Sequence, residues 1–278
     1  MLKKLLKKDF QATARSFLPL ILGFVVTSIL AKILFEVGIM SPILNGKSYV
    51  SDTNEFMVIF SIIFLALYII YVIAFYILTY VFIVSDFYKT MVSEQGYLTH
   101  TLPVKSSTLI NSKLIVAIFW QIITGFLVLL SFLFFIIGHM PEIPWQELVH
   151  DFTSSLGMSF KDYMIFMVVC LIIGLFSSPL MFYASIALGH LFGKHKIMGA
   201  ILSYLGIYTV MQVICTTAMI ALGYSFTATM QRAQTQVNMS YSSFFKSYMW
   251  FAVIFSTITC LAFYFITKYV MSNKLNLE

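Results

Sequence analysis

Six long, mostly apolar runs divide this chain and constrain its fold more than any other feature of the sequence. They cover residues 17–37, 56–84, 114–137, 163–189, 197–223 and 248–267. Each is long enough to cross about 30 Å of hydrocarbon as a helix, which takes roughly 20 residues. Of the Lys and Arg residues, only Lys32 lies inside a run, four residues before Glu36, where it can extend toward the interface and form an i,i+4 ion pair. The sequence therefore predicts an all-α integral membrane protein, a single domain over 1–278 with six transmembrane helices.

Composition agrees with a membrane protein. The chain is 60% hydrophobic and 10% charged, against roughly 25% charged residues in soluble domains. Cys170, Cys215 and Cys260 each lie alone in an apolar run, so we interpret them as packing residues.

The distribution of Lys and Arg predicts the orientation. With a cytoplasmic N-terminus, twelve lie on the inside and four on the outside: Lys3, Lys4, Lys7, Lys8, Arg15, Lys89, Lys105, Lys113, Lys194, Lys196, Lys268 and Lys274, against Lys47, Lys161, Arg232 and Lys246. Because cytoplasmic segments carry the excess of positive charge, both termini are expected in the cytoplasm. The net charge of +6 then reflects topology rather than a nucleic-acid partner.

The first sixteen residues have one apolar face surrounded by lysines. Leu2, Leu5, Leu6 and Phe10 share that face. This pattern is typical of an amphipathic helix in the cytoplasmic membrane interface, over 1–16.

A long polar interval separates the second and third runs, FYKTMVSEQGYLTHTLPVKSSTLINSK at 87–113. It predicts a helix end near Gly96 and a new helix start at Ser106 or Ser107. The elbow between them, 86–106, presents Tyr97, Leu98, His100 and Leu102 with little in its own chain to cover them, which favours a docking segment over a solvated loop.

The sequence contains no complete motif for nucleotide binding or catalysis. The stretches GHLFGKH at 189–195 and NGKS at 45–48 do not complete a phosphate-binding loop, so ATP would have to be bound by another chain. The spans offer mainly neutral polar groups such as Gln121 and Gln212, which argues against a proton-driven carrier. No catalytic residues and no cofactor are predicted. One outer cluster could ligate a metal, although an amphipathic helix around Trp145, Leu148 and Val149 explains it better: His139, Glu142, Glu147, His150 and Asp151.

Two features inside the spans concern helix packing. Pro179, after Ser177 and Ser178, should kink the fourth span. Gly199, Ser203 and Gly206 form a small-residue face in the fifth, suited either to packing within the bundle or to a second membrane subunit.

The chain resembles the permease subunits of type-2 ABC exporters of Gram-positive bacteria. The resemblance rests on the six-span layout with its basic N-terminus, on SEQGYLTHTLPVKSSTLINSKL at 93–114, and on YASIALGHLFGKHKIMGAILSYLGIY at 183–208. It implies a multi-pass permease of the bacterial plasma membrane that works with a second permease, identical or related, and with ABC ATPase subunits that bind ATP and Mg.

By the same resemblance, the elbow is the coupling helix that enters a cleft of the ATPase, and 1–16 is the connecting helix. The coupling residues would be Gly96, Tyr97, Leu98, Thr99, His100, Thr101 and Leu102. The chain lacks the large outer domain of some family members, so the substrate class stays open. An ATP-independent channel or carrier and an intramembrane enzyme remain the alternatives.

The charge asymmetry makes the topology testable. In a variant without native cysteines, single cysteines at Ser48, Ser154 and Ser240 should react with an impermeant thiol reagent from outside the cell, whereas one at Ser93 should not. The reverse labelling pattern would place the elbow outside and exclude a cytoplasmic coupling role.

Overall fold

A computed structural model describes residues 2–36, 52–93, 96, 104–136, 144–156, 158–233 and 237–273 of the chain. Within these ranges the regular structure is helical throughout. The α-helices, in chain order, are α1 (Leu2–Phe35), α2 (Asp52–Met91), α3 (Ser106–Ile136), α4 (Trp145–Leu156), α5 (Phe160–Gly189), α6 (Lys196–Ala233) and α7 (Val237–Asn273), with a 3-10 turn at His190–His195 between α5 and α6.

Six of these helices are long and apolar enough to cross a membrane, as the sequence predicts. The corresponding segments are Lys3–Phe35, Ile62–Met91, Ser106–Phe135, Phe160–Phe192, Lys196–Tyr224 and Phe244–Asn273. The fourth continues past the end of α5 into the 3-10 turn. The short amphipathic helix predicted around Trp145 is also present, as α4.

The helices are longer than the apolar runs that predict them. α2 has 40 residues, about 60 Å at the standard helical rise, which exceeds the roughly 30 Å of hydrocarbon. The predicted interfacial helix, 1–16, and the first predicted span are one unbroken helix, α1, so the boundary expected at residue 16 is not a helix end. Hydropathy marks where a helix is apolar, whereas backbone hydrogen bonds decide where it stops. The interfacial position of 1–16 stays a prediction.

Contacts group the described chain into two compact units. The first contains 1–86 and 115–141, and the second contains 87–114 and 142–278. The division falls within α2 and α3, so each of these helices contributes to both units.

In the first unit, α1 packs against α2 and α3 through aromatic rings and hydroxyl groups. Phe17 stacks on Trp120 with ring centroids 4.4 Å apart, and the Trp120 indole N–H donates to the Thr13 hydroxyl at 2.9 Å. Phe24 stacks on Phe75 at 4.2 Å. These contacts begin within the N-terminal stretch, whose Thr13 side is therefore covered by protein.

Hydrogen bonds between polar side chains also join α1, α2 and α3 in the first unit. The Tyr68 hydroxyl bonds to Ser28 at 3.2 Å and also to Ser131, and Thr79 bonds to Thr124 at 3.1 Å. All five side chains are buried. Paired hydroxyl groups satisfy one another where no water is available, so they join helices without leaving an unmet donor.

Lys32 confirms its predicted ion pair. Its ammonium lies 3.0 Å from a Glu36 carboxylate oxygen, 3.5 Å from the Phe135 carbonyl and 5.3 Å from the centre of the Phe134 ring. The side chain is only 9% exposed. A cation at the end of the apolar segment is thus neutralised by its own helix and covered by α3.

In the second unit, α5 packs against both α6 and α7. The α5–α6 corner is especially close. A Cβ atom added to Gly189 would lie 2.2 Å from the backbone nitrogen of Ala200, and one added to Gly199 would lie 2.7 Å from the Gly189 carbonyl oxygen. Only glycine permits this approach of two backbones.

This corner predicts a matched pair of glycine substitutions. Gly189→Ala should destabilise the protein strongly, because the new methyl group would overlap backbone atoms that cannot move aside. Gly206→Ala, further along α6, is the matched control. No atom lies within 4 Å of the added carbon, so the unfolding midpoint should stay unchanged or rise slightly. Thermal unfolding in detergent measures both, and equal midpoints would contradict the close packing at Gly189.

Candidate functional site

The helix ends that flank the elbow are among the most buried parts of the second unit. At the end of α2, Phe87 and Met91 are 0% exposed and Val92 is 3% exposed. At the start of α3, Leu109 and Ile110 are similarly buried. Phe87 and Met91, four residues apart, thus share a covered face at the end of α2, while Lys89 on the opposite face is exposed.

One aromatic pair links the end of α2 to α5. The rings of Phe87 and Tyr183 stack with centroids 3.8 Å apart and an angle of 11° between their planes. The Tyr183 hydroxyl donates to the carbonyl oxygen of Lys113 in α3, at 3.3 Å. A single side chain on α5 thus contacts both helices that lead into and out of the elbow. We call Phe87, Tyr183 and Lys113 the elbow anchor.

The neighbouring surface of α5 is shaped for close packing. Ala184 and Ala187 are fully buried, and Leu180 is 2% exposed. Small side chains let helix backbones approach one another. The elbow anchor is therefore embedded in a well-packed core rather than lying on the surface.

Pro179 lies one helical turn before Tyr183, inside α5. Proline has no N–H to donate to the carbonyl four residues earlier, and its ring crowds that carbonyl. The carbonyl concerned is that of Leu175; the neighbouring Ser178 hydroxyl donates to a different carbonyl, that of Gly174, at 2.8 Å. The backbone of α5 consequently lacks one helical hydrogen bond just before the elbow anchor.

The elbow itself, 86–106, is described only at its two ends and at Gly96. α2 ends at Met91, before the predicted end near Gly96, whereas α3 begins at Ser106, as predicted. Gly96 is buried, and its N–H donates to the Ser93 carbonyl at 2.7 Å. The remaining predicted coupling residues lie outside the described residues: Tyr97, Leu98, Thr99, His100, Thr101 and Leu102.

The small-residue face predicted on the fifth span is divided in the structure. Gly199 is buried against Gly189 and Phe192 of the same chain. Ser203 is half-buried, and Gly206 is exposed with open space beside it. The Gly199 end thus serves internal packing, while a contact with a second subunit at Gly206 stays a prediction.

The candidate metal cluster is only partly described. Within α4, the His150 ring nitrogen lies 3.7 Å from an Asp151 carboxylate oxygen, and both side chains are more than 80% exposed. Among the described residues, no group of three His, Cys, Asp or Glu side chains is placed to hold a metal ion. His139 and Glu142 lie outside the described residues.

The stretch that falls short of a phosphate-binding loop, 189–195, forms the corner of α5 and the 3-10 turn. His190 is 5% exposed in that corner. A tight helical corner with a buried ring does not present the open row of backbone N–H groups that cradles phosphates.

The sequence predicted helix ends on both sides of the elbow but did not indicate the role of Tyr183. A signal was available, since a tyrosine one turn after a proline within an apolar span has a hydroxyl that must find a partner. Its partner, the carbonyl of Lys113, is 70 residues away in the chain, which a single sequence does not reveal.

Comparison of the chain with protein families, with curated proteins and with solved structures finds no match.

The elbow anchor predicts a graded response to substitution. Tyr183→Phe should keep the ring stack and lose only the hydrogen bond, with a cost of about 1 kcal/mol. Tyr183→Ala should remove both and leave a cavity, with a cost of roughly 3–5 kcal/mol. Amide hydrogen exchange should then accelerate at 87–92 and 109–113 in the alanine variant. Equal protection in both variants would show that the stack does not hold the elbow ends.

Proposed function

We propose that this chain is the membrane-spanning permease subunit of a type-2 ABC exporter, whose elbow couples the transmembrane helices to a separate ATPase. The observation that carries the proposal is the elbow anchor. Both helices that flank the elbow are held against one transmembrane helix through Tyr183. A force applied to the elbow therefore acts on the membrane-spanning part of the second unit.

Energy would be supplied by partner chains. ATP and Mg bind to two ATPase subunits, which change shape during hydrolysis. A ligand-driven change moves a second protein only if the contacts between them differ between the two states. The elbow at 96–102 makes those contacts, so this chain has no catalytic residues and no cofactor of its own.

The route into the membrane runs through α5. When the elbow moves, Phe87 and Lys113 move with it, and Tyr183 follows because its ring stacks on Phe87 and its hydroxyl donates to the Lys113 carbonyl. Pro179 lies where the helix has one hydrogen bond fewer, so the segment after it can tilt against the segment before it at a lower cost than in a regular helix. Tilting of this kind would open or close a path lined by the membrane-spanning helices.

The assembly pairs this chain with a second permease, identical or related, in the bacterial plasma membrane, with both termini in the cytoplasm. Transport toward the outside is the direction that the resemblance favours. An ATP-independent channel or carrier needs no buried elbow anchor, and an intramembrane enzyme needs a reactive group within the bilayer.

If the elbow docks in an apolar cleft of the ATPase, a charge introduced into the elbow should weaken the complex. Leu98→Asp should lower ATPase binding about a hundredfold, because an unpaired carboxylate in an apolar cleft costs roughly 3 kcal/mol or more. Tyr97→Ala should weaken it less. The measurement is recovery of the co-expressed ATPase subunit after affinity purification, together with transport-linked ATP hydrolysis.

Leu148→Asp is the matched control, since Leu148 is 47% exposed on α4 and lies outside the elbow. It should recover the ATPase as well as the wild type does. The purified chain alone should hydrolyse no ATP. Normal recovery with Leu98→Asp, or hydrolysis by this chain alone, would refute the proposed function.

A further inference from the structure

The first turns of α5 and the apolar segment of α7 repeat one arrangement of side chains. In α5, Asp162 is followed at i+3, i+4 and i+7 by Ile165, Phe166 and Val169; in α7, Lys246 is followed at the same spacings by Met249, Trp250 and Val253. Residues at these spacings share one helix face. Each helix therefore presents a stripe with one charge at its first position and apolar side chains along the rest.

The two stripes face each other across a cavity of about 320 Å³. Its walls are those eight residues together with Met158, and all nine belong to the second unit. This volume is near the lower end of the roughly 300–1,000 Å³ that ligand pockets span.

The charges lie at one end of the cavity. One span, α6, separates α5 from α7 along the chain, so α5 and α7 cross a membrane in the same direction. Asp162 and Lys246, each at the first position of its stripe, therefore mark the same end, and Val169 and Val253 lie about 10 Å further along the helices. Both charged side chains are exposed, and Trp250 beside them is 69% exposed. Tryptophan next to charges at the start of an apolar segment is typical of the level of lipid headgroups.

A second cavity, in the first unit, provides an internal comparison. It measures about 390 Å³ and is lined by Phe24, Val25, Ser28, Ile29, Leu127, Leu130, Ser131, Leu133 and Phe134. None of its lining residues is ionisable. The pair of opposite charges therefore distinguishes the α5–α7 cavity from an ordinary apolar groove between membrane helices.

We propose that the α5–α7 cavity binds one phospholipid whose headgroup carries both a phosphate and a primary ammonium group. The Lys246 ammonium would pair with the phosphate, and the Asp162 carboxylate would accept hydrogen bonds from the lipid ammonium. An acyl chain would lie along the apolar stripes. A transmembrane helix, about 10 Å wide, is too large for this volume, which favours a lipid chain over a second protein. The proposal does not depend on the proposed transport function.

Trp250 supplies the reporter. The chain has three tryptophans, so the variant Trp120→Phe, Trp145→Phe leaves Trp250 alone in the cavity. Its fluorescence would be measured in vesicles that contain phospholipids brominated on their acyl chains, with phosphatidylethanolamine, phosphatidylcholine or phosphatidylglycerol headgroups. Bromine quenches tryptophan at short range, and bulk lipid also reaches Trp250, which is 69% exposed. The part of the quenching that is lost when the cavity is filled by Val253→Phe therefore reports which lipid occupies the cavity.

We expect quenching by the phosphatidylethanolamine lipid to indicate a three- to fivefold preference over the other two, since exposed charge pairs contribute up to about 1 kcal/mol. Asp162→Asn should abolish the preference over phosphatidylglycerol, and Lys246→Gln should weaken occupancy by all phospholipids. Lys161→Gln is the matched control, because Lys161 is exposed beside Asp162 but does not line the cavity.

A second matched pair of substitutions tests the apolar wall of the cavity. Val253→Phe should fill the cavity and remove the headgroup preference, whereas Ile254→Phe, at the next position and outside the lining, should not. Mass spectrometry of lipid retained by the chain with its native tryptophans provides a second readout. Equal quenching by all three headgroups, or an Asp162→Asn variant that loses thermal stability but keeps the lipid preference, would overturn the proposal and indicate that Asp162 and Lys246 serve only each other.

Discussion

Hydrocarbon offers peptide groups no hydrogen-bond partner, and this constraint governs the whole chain. Every backbone N–H and C=O within the bilayer must be satisfied by its own segment, which leaves helices as the available solution for these spans. Hydroxyl side chains follow the same rule. Thr27 donates to Gly23, Ser185 to Met181 and Thr267 to Phe263, each to the carbonyl four residues earlier at 2.7–2.9 Å. These hydroxyl groups thus add no unmet donor, whereas the amide nitrogen of Gln121 in α3 is buried without a hydrogen-bond partner.

Because each helix satisfies its own backbone hydrogen bonds, contacts between side chains are needed to fix how the helices pack. The first unit uses stacked rings and hydroxyl pairs such as Thr79 with Thr124. In the second unit, the stack of Phe87 on Tyr183 and the Tyr183 hydrogen bond to Lys113 join three helices at one side chain. Aromatic stacking contributes about 0.5–1.5 kcal/mol beyond burial of area, so this site is a strong joint for its size. Its place at the two ends of the elbow is the reason that the proposed function depends on it.

The sequence predicted the number of long apolar helices, the start of α3 at Ser106, the short α4 and the ion pair of Lys32 with Glu36. These features depend on local composition or on i,i+4 spacing, which a single sequence displays directly. It did not predict that α1 is continuous through residue 16, because a change of polarity along a helix does not interrupt backbone hydrogen bonds. It also missed Tyr183 and the cavity between Asp162 and Lys246, whose partners are separated by many residues in the chain.

The glycine corner between α5 and α6 has a mechanical consequence. With the backbone of Gly189 against that of Ala200, there is no side chain at the contact that could change rotamer to absorb a displacement. The angle between α5 and α6 therefore stays fixed when α5 tilts. The most apolar part of α6 contains no buried residue, so a movement of α6 would displace acyl chains along a broad apolar surface. If α5 tilts as proposed, bilayer thickness and lateral pressure contribute to the energy of the tilt.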